Sequence, residues 1–204
     1  DELNYHAINL ASSLVNNAGF NCNASRVIIT QKGWPLRDKL LAKLRRILEQ
    51  TPCRSAYYPG AKDRFSNFMN HHPEAELFGS PQGDQLPWMF IAGLNPNQGD
   101  EICFQTEAFC SIFSEVALEA IDAATFLDSA IEFANQKLWG TLNATIIIHP
   151  ATQQQPSVSE AFERAIEKLQ YGTVSVNLWA AIGYALCSTS WGAYPGHDLF
   201  DIRS

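Results

Sequence analysis

No apolar run in this chain approaches the roughly 20 residues that a membrane span needs. No excess of basic residues gives it the footprint of a nucleic-acid binder either: 14 Lys and Arg stand against 21 Asp and Glu, for a formal net charge of −7. Cysteine spacing excludes a disulfide framework or zinc site, because the 5 cysteines are odd in number and none falls in a CxxC pair. With no signal peptide visible, a reducing compartment is expected and the chain is read as cytoplasmic. In that setting Asn23-Ala24-Ser25 and Asn143-Ala144-Thr145 match the glycosylation sequon by coincidence. An initiator methionine is lacking as well: the chain opens on Asp1-Glu2 and is expected to be processed or excised from a longer protein.

What is present is enough for a sizeable core. A length of 204 residues, 46% of them apolar and 17% charged, describes one ordinary globular domain or two. Leu3, Ala7, Leu10, Ala11, Leu14 and Val15 form an apolar stripe at helical spacing. A strand follows over 26–30. Leu36, Leu40, Leu41, Leu44, Ile47 and Leu48 then mark the buried face of a helix with Pro35 in its first turn and Arg37, Lys39, Lys43, Arg45 and Arg46 on the solvated face. Residues 61–70 read as a helix, with His71-His72 as its exposed end. Adjacent histidines lie about 100° apart around a helix, and no Cys/His/carboxylate spacing nearby completes a metal set, so no metal site is expected.

Farther on, Trp88-Met89-Phe90-Ile91-Ala92 reads as a short strand, 95–100 as a loop, and Ile112-Phe113 as the start of another strand. Thr125 with Asp128 suggests a capped helix, and Ser157 with Glu160 a capping box. Strands are expected over 144–148 and 173–177. This alternation implies a mainly parallel sheet with helices on both faces. From Leu178 the chain is rich in Trp, Tyr, Gly and Pro, an aromatic loop suited to lining a substrate tunnel or to packing over a sheet end. His197 within it reads first as an ordinary loop histidine held by packing or solvent, and second as a candidate base.

The chemically most suggestive stretch is Asn16-Asn17-Ala18-Gly19-Phe20-Asn21-Cys22-Asn23-Ala24-Ser25-Arg26. Gly19 permits a tight turn and the short polar asparagines favour caps and loops, so Cys22 is placed on a turn ahead of an apolar strand. A thiol there is a candidate nucleophile once its thiolate is favoured, and a buried cysteine of no chemical consequence is the alternative.

This segment resembles the nucleophile loop of the aldehyde dehydrogenase superfamily, and the agreement continues downstream in the family's order. Glu107-Ala108-Phe109 resembles its Glu-x-Phe cofactor motif, 134–140 (Ala-Asn-Gln-Lys-Leu-Trp-Gly) its Ala-Asn-x-x-x-Tyr-Gly helix end, and 171–177 its Gly-x-Val-x-Val-Asn strand. The resemblance runs from the first helix to Ile202. It implies an α/β fold with a mainly parallel twisted sheet flanked by helices, with residues 1–204 corresponding to the catalytic domain and the nicotinamide-binding domain absent. It also implies Cys22 as nucleophile, Glu107 on the ribose hydroxyls and Phe109 at the nicotinamide of NAD or NADP, and a small-molecule aldehyde as substrate.

Departures mark a divergent member. Gly19-Phe20 stands where many members carry Gly-Gln, Cys110-Ser111 follows the Glu-x-Phe motif in place of Gly-Pro, and the aromatic loop replaces Pro-Phe-Gly-Gly. The family's general-base glutamate and oxyanion asparagine both fall before Asp1. An oxyanion donor is worth about 3 kcal/mol, on the order of a hundredfold in rate. The isolated chain is therefore expected to show little or no dehydrogenase activity, and to self-associate through the face left by the other domain. Two other readings remain open: a non-redox cysteine acyl transferase or hydrolase, and an inactive binding domain that keeps the fold.

Overall fold

The structure, a computed structural model, describes residues 2–195. The chain divides into two compact units, residues 1–117 and 118–204.

The first unit begins with helix α1 (Glu2–Val15), which buries Ala7, Ala11 and Leu14 at the spacing the stripe requires. An irregular turn, Asn16–Gly19, whose backbone turns left-handed at Asn17 and Ala18, leads through the Cys22 loop into strand β1 (Val27–Gln31). Helix α2 (Arg37–Gln50) follows, burying Leu40, Leu41, Leu44 and Leu48; Pro35 lies in the turn just before it. Strand β2 (Arg54–Ser55), helix α3 (Ala61–His71), and strands β3 (Glu76–Phe78), β4 (Gln85–Leu86) and β5 (Trp88–Leu94) come next. The unit closes with the short helix α4 (Ile102–Gln105) and strand β6 (Ile112–Leu118).

The central sheet has the order β1-β6-β5-β3. Strands β5 and β6 run parallel, Met89 opposite Ile112 and Phe90 opposite Phe113, while β3 adds an antiparallel edge. Because β5 is covered on both faces it reads as a continuous apolar run and not as alternation, and β6 is buried along nearly its whole length although Ser114 and Glu115 interrupt its apolar residues. Ile28, Trp88, Phe90 and Phe113 pack with the buried residues of α1 and α2 into one core. Strands β2 and β4 form a separate antiparallel ribbon.

One ion pair is built into this core. Glu115, wholly buried, accepts from Arg37 Nη2 at 2.7 Å, from Arg37 Nε at 2.9 Å, from the main-chain N–H of Gly93 at 3.0 Å, and from the Thr30 hydroxyl. Gly93 has φ 75° and sits where the β5–β6 register shifts, so the bulge turns an amide toward the carboxylate. With these donors the buried charge is compensated.

The second unit contains helix α5 (Ala123–Lys137), strand β7 (Asn143–Ile146), helices α6 (Pro150–Gln153) and α7 (Pro156–Lys168), strand β8 (Thr173–Val176) and helix α8 (Ala181–Ala185). Strands β7 and β8 pair in parallel, Asn143 opposite Thr173 and Ile146 opposite Val176. Leu127 from α5 and Val158, Ala161 and Phe162 from α7 bury together with Ile148.

The architecture is the expected α/β one, with parallel pairing at β5–β6 and β7–β8 and helices against the strands. Two helix starts differ from expectation. The cap of α5 is Asp122, whose side chain accepts the Thr125 N–H at 2.8 Å, so the helix begins before Thr125. Ser157 is not a cap but lies inside α7, because Pro156 takes the first helical position, where a missing N–H costs nothing. Among the described residues no helix is long and apolar enough to cross a membrane.

Candidate functional site

The loop before β1 is shaped by an unusual run of backbone. Asn17, Ala18 and Gly19 all have positive φ, 51°, 56° and 79°. Only glycine fits the last of these, since a Cβ there would lie 2.5 Å from the carbonyl oxygen of Cys110. Asparagines hold the turn that follows. Asn21 Nδ2 donates to Asn16 Oδ1 at 2.7 Å, Asn17 Nδ2 donates to Asn21 Oδ1 at 3.2 Å, and the Tyr57 hydroxyl donates to Asn17 Oδ1 at 3.1 Å. The Ala24 N–H donates to Asn21 O at 3.1 Å and closes a turn around Cys22 and Asn23.

Cys22 is exposed on that turn. Among the described residues its main-chain N–H has no hydrogen-bond partner, so it is free to donate to a bound oxygen. Of the remaining cysteines, Cys53, Cys103 and Cys110 are buried and Cys187 is exposed in the second unit. Burial pushes the Cys110 thiol up to about 11, away from reactivity.

The loop that carries Glu107 and Phe109 lies against the same turn. Arg26 ties them together: Nη1 donates to Cys110 O at 2.6 Å and Nη2 to Gly19 O, while the guanidinium carbon stands 6.0 Å from the centre of the Phe109 ring. Burial lowers the pKa of Arg26, and Glu107 and Cys110 oppose that effect. From the other side Arg64 of α3 donates to Ala108 O at 3.1 Å and to Phe109 O at 3.2 Å. These bonds fix Phe109 at a φ of 37°, a conformation a phenylalanine does not keep without support.

Phe109 belongs to an aromatic group beside the cysteine turn. Its ring centre is 4.8 Å from that of Tyr58 and 6.2 Å from that of Phe20, and Phe20 lies 5.0 Å from Tyr57. Phe20 is buried; Tyr57 and Tyr58 are exposed, leaving an aromatic surface open to solvent.

Glu107 sits between two guanidiniums whose hydrogen bonds go elsewhere. Burial raises its pKa above the usual carboxylate range, while the charges of Arg26 and Arg64 pull it back. Among the described residues no hydrogen bond reaches its carboxylate. A half-buried acceptor without a donor suits the hydroxyls of a ligand.

The structure thus brings the Cys22 turn and the Glu107–Phe109 loop together through Arg26 and Phe20. Arg64, Tyr57 and Tyr58 also join them, and nothing in their local spacing marks them for it. His72 is buried and not the exposed helix end expected from the sequence, with Glu74 Oε1 at 2.9 Å and Glu101 Oε1 at 2.8 Å from its ring nitrogens. Only His71 ends the helix in solvent. The aromatic segment after Leu178 holds α8 and an edge-on pair, Tyr184 with Trp191 at 5.5 Å, while His197 lies outside the described residues.

No family model matches the chain, and no curated protein matches it in sequence. Solved structures do match. Salicylaldehyde dehydrogenase from Pseudomonas putida, complexed with salicylaldehyde, superposes with a TM-score of 0.72 at 14% identity over 94% of this chain and 38% of that one. The NADP-dependent glyceraldehyde-3-phosphate dehydrogenase from Bacillus halodurans, complexed with NADP, gives 0.67 at 17% identity over 87% of this chain and 36% of that one. An NAD-dependent aldehyde dehydrogenase from Sinorhizobium meliloti gives 0.65 at 18% identity over 87% and 35%. The chain therefore has an aldehyde dehydrogenase-like fold, and it spans little more than a third of the length of these neighbours.

Proposed function

We propose that this chain carries the nucleophile of an NAD(P)-dependent aldehyde dehydrogenase, with Cys22 attacking the aldehyde and Glu107 and Phe109 receiving the nicotinamide nucleotide. The observation that carries the reading is the convergence of the exposed Cys22 turn with the Glu107–Phe109 loop, on a fold shared with aldehyde dehydrogenases.

In this reading the exposed Cys22 thiol gives its proton to solvent and its sulfur bonds to the aldehyde carbon, which sends the carbonyl electron pair onto oxygen. The Cys22 N–H, without a partner in the protein, donates to that oxygen and stabilises the developing charge where it forms. The nicotinamide cofactor, when bound, takes up the hydride of this two-electron oxidation. A thioester on Cys22 is left; water releases it as the acid, or another acyl acceptor takes the acyl group, and either restores the thiol.

The residues present fit such a cofactor. Glu107 offers an acceptor with no donor of its own, as ribose hydroxyls require, and Phe109 is held by Arg64 in a conformation that presents its ring beside Tyr58. Phe20, two residues before Cys22, is buried against Tyr57, Tyr58 and Phe109 and gives this surface an apolar side. Turnover is assigned to a protein in which these residues meet a nicotinamide-binding part; this stretch alone is expected to oxidise aldehydes poorly.

Adduct mapping tests the assignment. After incubation of the native protein containing this chain with an aldehyde and NAD or NADP, mass spectrometry is expected to find the acyl group on Cys22 and not on Cys187, which is also exposed. Equal labelling of both thiols, or acylation that persists without nicotinamide, would remove the dehydrogenase reading.

A further inference from the structure

Away from the Cys22 turn, the first unit gathers another set of chemically able side chains. His72 follows α3, with its N–H on Phe68 O at 2.9 Å; Glu74 lies in the turn beyond it. Glu101 precedes α4, its Oε1 accepting the Cys103 N–H at 3.0 Å. His72, Glu101 and Cys103 are 8%, 2% and 9% exposed, and one donor atom from each lies within 4.8 Å of the others. We propose that His72, Glu101 and Cys103 form a binding site for a divalent transition metal of the zinc class, with Glu74 orienting the imidazole from outside.

The donor set is the first argument. One imidazole nitrogen, one carboxylate oxygen and one sulfur are ligands that a tetrahedral zinc ion accepts together. Bond lengths of about 2.0 to 2.3 Å around such an ion put its donors about 3.3 to 3.8 Å apart. That spacing is bracketed by the 2.8 Å between His72 Nε2 and Glu101 Oε1 and the 4.8 Å limit on the set.

The second argument is orientation. Ligating histidines usually give their other nitrogen to a carboxylate, which fixes tautomer and ring plane. Here Nδ1 of His72 meets Glu74 at 2.9 Å while Nε2 faces Glu101.

The third is charge. His72 pairs with both Glu74 and Glu101, and among the described residues no lysine or arginine forms an ion pair with either glutamate. A dication would be neutralised by Glu101 and the Cys103 thiolate. Coordination sends the thiol proton to solvent and leaves the imidazole proton on Nδ1, donated to Glu74. One tetrahedral position remains for water. The ion would clasp the end of α3 to the start of α4, at the base of the segment that continues to Glu107.

Zinc titration of the whole protein, followed by equilibrium dialysis and by cobalt substitution, tests this. One ion per chain is expected, with a thiolate-to-cobalt absorption band that survives Cys22→Ala and disappears in Cys103→Ala. Glu74→Gln, at an exposed position, should weaken binding about 10- to 100-fold. Zinc should raise the melting temperature of the unaltered protein. Absence of stoichiometric binding by the unaltered protein overturns the proposal even if Cys103→Ala does not fold. So does a band that persists in Cys103→Ala, or an affinity that Glu74→Gln leaves unchanged.

Discussion

Arg26 Nη1 lies 2.6 Å from the carbonyl oxygen of Cys110, 84 residues away along the chain. With its second terminal nitrogen on Gly19 O, this one side chain joins the turn that presents Cys22 to the loop that presents Glu107 and Phe109. Hydrogen bonds from a charged donor typically contribute about 1.5 to 3 kcal/mol each. Arg26→Ala is therefore expected to lower the unfolding free energy by a few kcal/mol in urea titration. Arg26→Lys should recover little of it, because an ammonium cannot span two divergent carbonyls.

Gly19→Ala tests the turn itself. The residue has φ 79°, and a Cβ would meet Cys110 O at 2.5 Å. Left-handed backbone alone costs about 1 to 2 kcal/mol for an alanine, and the collision forces the two loops apart as well. A lower urea midpoint, with altered alkylation rate at Cys22, is the expected outcome; an unchanged midpoint would mean that the loops are not packed as described.

Glu107 gives a pH-dependent expectation. Burial raises its pKa in the fold, with Arg26 and Arg64 opposing. A raised carboxyl pKa makes its contribution most favourable below the unfolded value of about 4.3, and that contribution is lost as pH rises through the folded value. At neutral pH the ionised carboxylate is thus a burden on stability, as functional groups often are. Glu107→Gln should raise the melting temperature at pH 7, and the gain should vanish near pH 4. If the proposed cofactor role holds, the same substitution weakens NAD or NADP binding by the native protein, read by titration.

Arg37 of α2 and Glu115 of β6 tie helix to sheet. Arg37→Met strands a wholly buried carboxylate, an effect of about 3 to 5 kcal/mol. Arg37→Met combined with Glu115→Gln should recover part of that loss in the same denaturation assay, and failure to recover any would point to packing in place of charge.

Much of this was legible in the residues. The leucine spacing of α2 and the stripe of α1 gave their buried faces, because amphipathic period is set by one element at a time. The asparagines and Gly19 announced a turn at Cys22 for the same reason. What could not be read is whatever depends on distant partners. Arg26 looks like the first residue of a strand until Cys110 is beside it, and His72 looks like a helix end until Glu101 and Cys103 arrive from another loop. The start of α5 at Asp122 was missed for a local reason: both Asp122 and Thr125 are competent caps, and the earlier one captures the Thr125 N–H.

The central claim rests on Cys22 as the nucleophile of a nicotinamide-dependent oxidation. The most direct test is formation of reduced nicotinamide by the native protein containing this chain, across a panel of aldehydes with NAD and NADP, beside its Cys22→Ala variant. The account predicts aldehyde-dependent reduction that disappears when Cys22 is replaced. Reduction that persists in the Cys22→Ala variant, or no reduction with any pair while an activated ester still acylates Cys22, would contradict it.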